Sequence, residues 1–139
     1  MKLNNMNCLF CGIVAGEIPS AKIYEDDKAI AILDISPTAP GHALVIPKEH
    51  TRNLSEAPIE ILASLLPVVQ KVANGVTQAL GADGFNLIVN NGEAAGQIIH
   101  HLHLHIIPRK DGDGLMHLPG KSYAEGEIEK LAEAIKKTI

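Results

Sequence analysis

Three histidines at alternate positions, His101, His103 and His105, are the residues of this sequence best suited to do chemistry. Their neighbours Leu102, Leu104 and Ile106 are apolar. In a strand, residues i, i+2 and i+4 share a face, with successive same-face side chains roughly 6–7 Å apart. The pattern therefore predicts a strand over 101–107, ended by Pro108. It would carry three imidazoles on one side and pack its apolar side on the core. His100 falls on the face opposite the triad. Histidine is no strong strand former, and imidazole titrates near neutrality, so strict alternation points to a site. Two chemistries fit. Histidines on one strand can hold a catalytic zinc. Alternatively, a neutral imidazole attacks phosphorus, while its neighbours bind the phosphate oxygens and assist the leaving group.

The surroundings favour phosphate. Asn90–Asn–Gly–Glu–Ala–Ala–Gly–Gln97 feeds into the triad, and main-chain N–H groups of such a glycine-bearing loop can form an anion nest. Asn90 and Gln97 add amide donors without negative charge. Asp34 has the chemistry to accept from ribose hydroxyls, as well as that of a turn residue. Cys8 and Cys11 form a C-x-x-C pair, which in a reducing compartment suggests a metal knuckle or a redox pair.

The elements that must position these residues can be read around them. A short helical turn is expected over 10–15, and strands over 21–25 and 29–33 joined by a turn at Asp26–Asp27. An ordered loop with two prolines and a glycine spans 34–41, followed by a strand over 42–46. Ser55 is the expected N-cap of a long helix with Pro58 in its first turn. Ile59, Leu62, Leu66, Val69, Val72, Ala73, Val76 and Leu80 form its apolar stripe. Pro67 should kink or split it, and Gly81 should stop it. A strand over 85–89 follows, then a polar loop and the histidine strand. A mobile glycine-rich loop over 111–120, in which His117 is read as solvated, leads to a terminal amphipathic helix carrying Ile128, Leu131 and Ile135. The sum is α+β: a mostly antiparallel sheet, one long helix and a shorter C-terminal helix.

The 139 residues suit one domain spanning 1–139, with 46% hydrophobic residues and 3% aromatics giving an aliphatic core. A net charge of −4, with no basic run, argues against a nucleic-acid partner. No apolar stretch is expected to span a bilayer, and the opening residues lack a signal-peptide core, so the expected address is cytoplasmic, with no membrane partner.

The histidine pattern resembles the signature of the histidine-triad (HIT) family, and the chain is similar to the Hint-type and bacterial branch. The resemblance runs from Cys8 through Arg109 and takes in Ile18–Pro19, Asp34–Ile35–Ser36–Pro37, Gly41–His42, Ile46–Pro47–Lys48, Asn90, Gly96–Gln97 and the triad. It implies a HIT-like fold, a homodimer with the protomers' sheets side by side, and a covalent nucleotidyl intermediate on His103. It implies that Asp34 and Ile35 hold ribose and base, and that Asn90, Gly96, Gln97 and His105 contact phosphate or nucleoside. His42 would support the nucleophile. Ile98 stands where Hint-type relatives often carry serine, leaving a main-chain contact there. The resemblance also implies a structural zinc on Cys8, Cys11, His50 and His101, making residues 1–15 a zinc-knuckle segment and 111–139 a C-terminal loop and helix. No catalytic metal is expected.

The implied activity is that of a nucleotide hydrolase or nucleotidyl transferase acting on purine nucleoside phosphoramidates. A dinucleoside polyphosphate hydrolase, a nucleotide-binding module with incidental catalysis, and a zinc hydrolase using the triad as ligands are the alternatives.

Overall fold

Short apolar runs bounded by proline, glycine and aspartate form five strands, and one long apolar stretch forms the main helix. The computed structural model describes residues 7–115 and 118–139; His117 lies outside them. The order is α1 (Leu9–Val14), β1 (Lys22–Glu25), β2 (Ala29–Leu33), β3 (Ala43–Pro47), α2 (Ile59–Leu80), β4 (Gly84–Ile88), β5 (Leu104–Arg109) and α3 (Glu127–Lys136). The strands form one sheet in the order β1-β2-β3-β5-β4, and every neighbouring pair is antiparallel. The Asp26 carboxylate builds the first hairpin by accepting from the main-chain N–H groups of Lys28 and Ala29, both at 2.7 Å.

The two sheet faces differ in what covers them. Ala29, Ala31, Ala43, Val45, Leu104 and Ile106 face α2, which lays Leu65, Val68, Val69, Val72, Ala73 and Val76 against them. Three of the strand residues are alanines, which lets the helix approach closely. Burying each larger aliphatic is worth about 1.5–3 kcal/mol. On the other face Ile30, Ile32, Leu44 and Ile46 pack with Phe10 and Ile13 of α1. That short helix covers only part of the face, and the histidines occupy the rest. Gly41 enters β3 at φ 88°, where an added Cβ would collide with the Leu80 side chain.

Several expectations change. The last strand begins at Leu104, so His101, Leu102 and His103 precede the ladder instead of lying in it. Its β3 pairing stops at Val45↔Leu104, because the Leu102 N–H turns away to the Thr51 carbonyl (2.7 Å). The alternation of faces still holds: Leu102, Leu104 and Ile106 all lie in the α2-side core. Pro108 lies inside β5 and pairs with Phe85, past the last β3 partner, where only β4 flanks the strand.

The long helix starts later than expected, with Pro58 at its N-cap and no side-chain cap from Ser55. Pro67 does not split it. Pro67 and Ala63 are both exposed, so the carbonyl that the proline leaves without a donor faces water. Gly81 ends the helix in the left-handed conformation, as expected. Leu66 is 61% exposed and Ile59 is 74% exposed, while Leu65 and Val68 fill the core positions instead. By length and composition α2 could cross a membrane, which the sequence reading did not anticipate. Its packed face is accounted for by the sheet. The glycine-rich loop is tied down over 111–115: Arg109 clasps Asp113 at 2.8 and 3.0 Å, and the Asp111 N–H donates to Asp83.

Candidate active site and metal centre

The sheet face left open by α1 carries two clusters that share a histidine segment. The first gathers Cys8, Cys11, His50 and His101, whose candidate ligand atoms all lie within 4.8 Å of one another. Cys8 caps α1 and Cys11 lies one turn on. His50 follows β3, and His101 precedes β5 and is fully buried. The Nδ1 of His101 lies 3.4 Å from Cys8 Sγ, 3.5 Å from Cys11 Sγ and 3.2 Å from His50 Nδ1, and His50 Nδ1 lies 3.3 Å from Cys11 Sγ.

The tautomer of His101 follows from its other nitrogen. Nε2 lies 2.8 Å from the Pro47 carbonyl, which can only accept, so Nε2 carries the hydrogen and Nδ1 turns its lone pair to the cysteines. Burial pushes the His101 pKa down to about 4, keeping the ring neutral. A tetrahedral zinc with Zn–S about 2.3 Å and Zn–N about 2.0–2.1 Å requires ligand separations of about 3.3–3.6 Å along its N–N and N–S edges. The observed 3.2–3.5 Å matches, so the donor set, tautomer and spacing fit zinc.

The second cluster contains His103, His105, His42 and Asp34. His103 Nδ1 lies 2.7 Å from the His101 carbonyl, so it donates there and leaves its lone pair on Nε2. Burial lowers the His103 pKa, opposed by its hydrogen bond to His101 and the charge of Asp34, and favours the neutral nucleophilic form. His42 Nδ1 accepts from the Thr38 N–H (3.0 Å), so a neutral His42 carries its hydrogen on Nε2. That atom lies 2.9 Å from His105 Nδ1 and donates to it. The hydrogen of His105 is thereby placed on Nε2.

Among the described residues, His105 Nε2 is the buried side-chain polar atom without a hydrogen-bond partner. Burial first, then the neighbouring His103 and His42, holds the His105 pKa down to about 4. The chain Thr38→His42→His105 thus ends in a neutral N–H donor beside His103, with the His103 and His105 ring centroids 4.9 Å apart. Asp34, His42 and His105 also have metal-binding atoms close together. There the His42 lone pair is already committed at Nδ1, so the hydrogen-bonded relay describes the trio better than a metal site.

The remaining expected residues divide. Asp34 Oδ1 caps the Ser36 N–H (2.8 Å), while Oδ2 lies 3.7 Å from His42 Nε2. Gly92 and Gly96 hold φ values of 86° and 91° around the short 3₁₀ turn Glu93–Ala95, and Asn90 lies near Gly96. The side chain of Gln97 is buried and fully engaged. Its Oε1 accepts from Gly92 N–H, and its Nε2 donates to the Arg52 and Ile99 carbonyls. Gln97 therefore staples the loop and leaves only its main chain for an anion. Ile35 and Ile98 are 96% and 88% exposed, so neither is packed onto the histidines. His100 is exposed, 3.8 Å from Glu93.

Sequence reasoning missed three contributors. Thr38 and Pro47 act through main-chain atoms, which carry no residue signature. Phe10 stands between the cysteines and packs its ring against both His101 and His103; being one of two phenylalanines, inside the C-x-x-C, was the available signal. An apolar cavity of about 430 Å³ lies on the α2 side of the sheet, away from this chemistry.

The family model of the HIT domain matches residues 15–112. The chain belongs to the HIT family. This HIT protein is 43% identical over 136 residues to the adenosine 5'-monophosphoramidase hnt1 of Schizosaccharomyces pombe, covering 96% of this chain and 99% of that one. It is 50% identical over 109 residues to the adenylylsulfatase HINT3 of Arabidopsis thaliana. That match covers 78% of this chain, which spans about half (55%) of the plant protein's length. Among solved structures, a Zn-bound histidine triad family protein from Mycobacterium smegmatis superposes with a TM-score of 0.77 at 41% identity. It covers 96% of this chain and 98% of that one. The α+β fold of this chain is the HIT fold.

Proposed function

We propose that this HIT protein is a nucleotide hydrolase or nucleotidyl transferase that acts at the α-phosphate of purine nucleoside phosphoramidates through a nucleotidyl-histidine on His103. The carrying observation is the pair of opposed tautomers in adjacent rings: His103 keeps a bare Nε2, and His105 a protonated, buried Nε2 with no hydrogen-bond partner. The name of the S. pombe relative supports the substrate class. In the first step the His103 Nε2 lone pair forms a bond to phosphorus as the bond to the leaving amine breaks, and the amine nitrogen takes a proton from solvent as it departs. The His105 N–H donates to a non-bridging oxygen as charge grows on it. In the second step water adds to phosphorus, loses a proton to solvent, and the nucleoside monophosphate leaves as Nε2 regains its lone pair. Asp34 and Ile35 bind ribose and base. Asn90, the main chain of Gly96, Gln97 and Ile98, and His105 bind the phosphate side.

Cys8, Cys11, His50 and His101 hold a structural zinc, supported by the ligand geometry and by the Zn-bound mycobacterial neighbour. Zinc there cross-links α1 to the segment before β5 and supplies no step of the transfer. The chain works as one domain in the cytoplasm, as a homodimer. The bare β4 edge supports the dimer: Phe85, Leu87 and Ile88 are half-exposed on it, and an uncovered apolar edge invites pairing with another chain.

Rapid-quench mass spectrometry with adenosine 5'-phosphoramidate tests the mechanism. An adenylyl adduct on His103, absent from His103→Ala, is expected. Full turnover by His103→Ala overturns it.

A further inference from the structure

We propose that the metal knuckle positions the nucleophile, with Phe10 as the positioning residue and the His101 carbonyl as the second contact. The inference rests on His103 being the nucleophile and on the knuckle holding zinc. Phe10 is the second of the two residues between Cys8 and Cys11 in α1, and it is buried. Its ring meets His103 edge-on at 4.9 Å and 69°, and His101 at 5.9 Å and 86°. The His105 ring also meets His103, at 4.9 Å and 61°. The imidazole of His103 therefore meets two rings, while its Nδ1 is held at 2.7 Å by the carbonyl of His101.

Two of these holds, the Phe10 ring and the His101 carbonyl, lead back to the knuckle. His101 uses one ring nitrogen on the Pro47 carbonyl and turns the other to the cysteines, so the residue that offers its carbonyl to the nucleophile is itself pinned at both nitrogens. Phe10 rides on a helix of six residues, too short to persist without tertiary anchors. Its anchors are the flanking cysteines and the Ile13 contact with the sheet. Attack on phosphorus in line with the leaving group requires the Nε2 lone pair to point along one direction. Small losses of alignment cost reaction rate far more than substrate affinity.

The experiment uses the full-length protein as purified. Metal content is measured first. The rate of adenylyl-His103 formation, the KM and the His103 ring ¹⁵N shifts are then compared in wild type, Phe10→Leu and Ile13→Val. Leucine keeps an apolar side chain at position 10 but removes the ring edge. Ile13→Val trims the same apolar cluster without touching a histidine ring, so it reports a purely structural role. Phe10→Leu is expected to keep its zinc and slow adduct formation by about ten- to a hundredfold. KM should change less than about threefold, and the His103 ring nitrogens should move from distinct N–H and bare shifts toward an average. Removing zinc from wild type should move the same shifts the same way. Wild-type rate and shifts in Phe10→Leu, or an equal loss in Ile13→Val, overturn the proposal. Absence of metal defeats the zinc reading and leaves the Phe10 comparison to decide. An adduct mapped to another residue defeats the nucleophile reading itself.

Discussion

If His103 is the nucleophile proposed above, removing His42 should disable catalysis through a tautomer, without touching His103. His42 accepts from Thr38 and so must donate to His105 at 2.9 Å. In His42→Ala the His105 Nδ1 loses that donor. The lost bond is worth about 1 kcal/mol, and a buried acceptor left unsatisfied costs about 1–3 kcal/mol more. The ring can escape this cost by moving its hydrogen or turning, and either change withdraws the N–H from the phosphate side. Loss of one preorganised donor to a developing oxyanion costs about 10²–10³ in rate. Adduct formation in His42→Ala is therefore expected to fall by about two orders of magnitude. His42→Gln, whose amide N–H can donate to Nδ1, should recover at least about tenfold. His42 and His105 act in series, so the double alanine variant should be no slower than His105→Ala alone. Single-turnover rapid quench on wild type and the four variants provides the numbers. Fully additive losses in the double variant, or equal rates in His42→Gln and His42→Ala, would refute the relay.

Three further outcomes follow from the same contacts. The His105 pKa is held near 4 in the fold against an ordinary 6.5, so the unfolded chain binds the extra proton between those values. Its contribution is fully present above about pH 6.5 and is lost as pH falls to about 4; metal-free wild type should lose up to about 3 kcal/mol more over that range than metal-free His105→Gln, measured by urea denaturation. Zinc at about a thousandfold above its Kd should add about 4 kcal/mol and raise Tm by about 15 °C, and Cys8→Ala with Cys11→Ala should abolish the response in calorimetry. Gln97→Ala breaks bonds to Gly92, Arg52 and Ile99 and should cost about 3 kcal/mol in a denaturant titration; a loss under about 1 kcal/mol would show that the loop stands without it.

The clustering of the histidines was more legible than the elements that carry them. Alternation at 101–106 gave the correct partition of faces, because period-two burial survives even where the chain leaves the ladder. It could not reveal that pairing with β3 stops at Leu104, since that depends on the Pro47 and Thr51 carbonyls taking other partners. The helix phase was blurred for a different reason: apolar residues surround α2, so Leu66 and Leu65 fit the pattern equally and only the sheet chooses between them. Gln97 was read as a phosphate donor because an amide looks available in a sequence; its three internal bonds appear only once the loop is closed. Phe10 touches residues more than ninety positions away, and separations of that size leave no local trace.

The place of β5 between β3 and β4 has a consequence for synthesis. While the chain emerges from the ribosome, β3 has β2 on one side and nothing on the other, and β4 has no neighbour at all. Residues 104–109 must appear before the sheet can close, and His101, the last of the four knuckle residues to be made, arrives just before them. A chain interrupted before that point displays an open edge of β3, an unpaired β4 and an apolar helix without its β5 contacts. Such a fragment would be a substrate for chaperones and proteases and a seed for aggregation, so the strand that completes the chemistry is also the one that ends the chain's most hazardous interval.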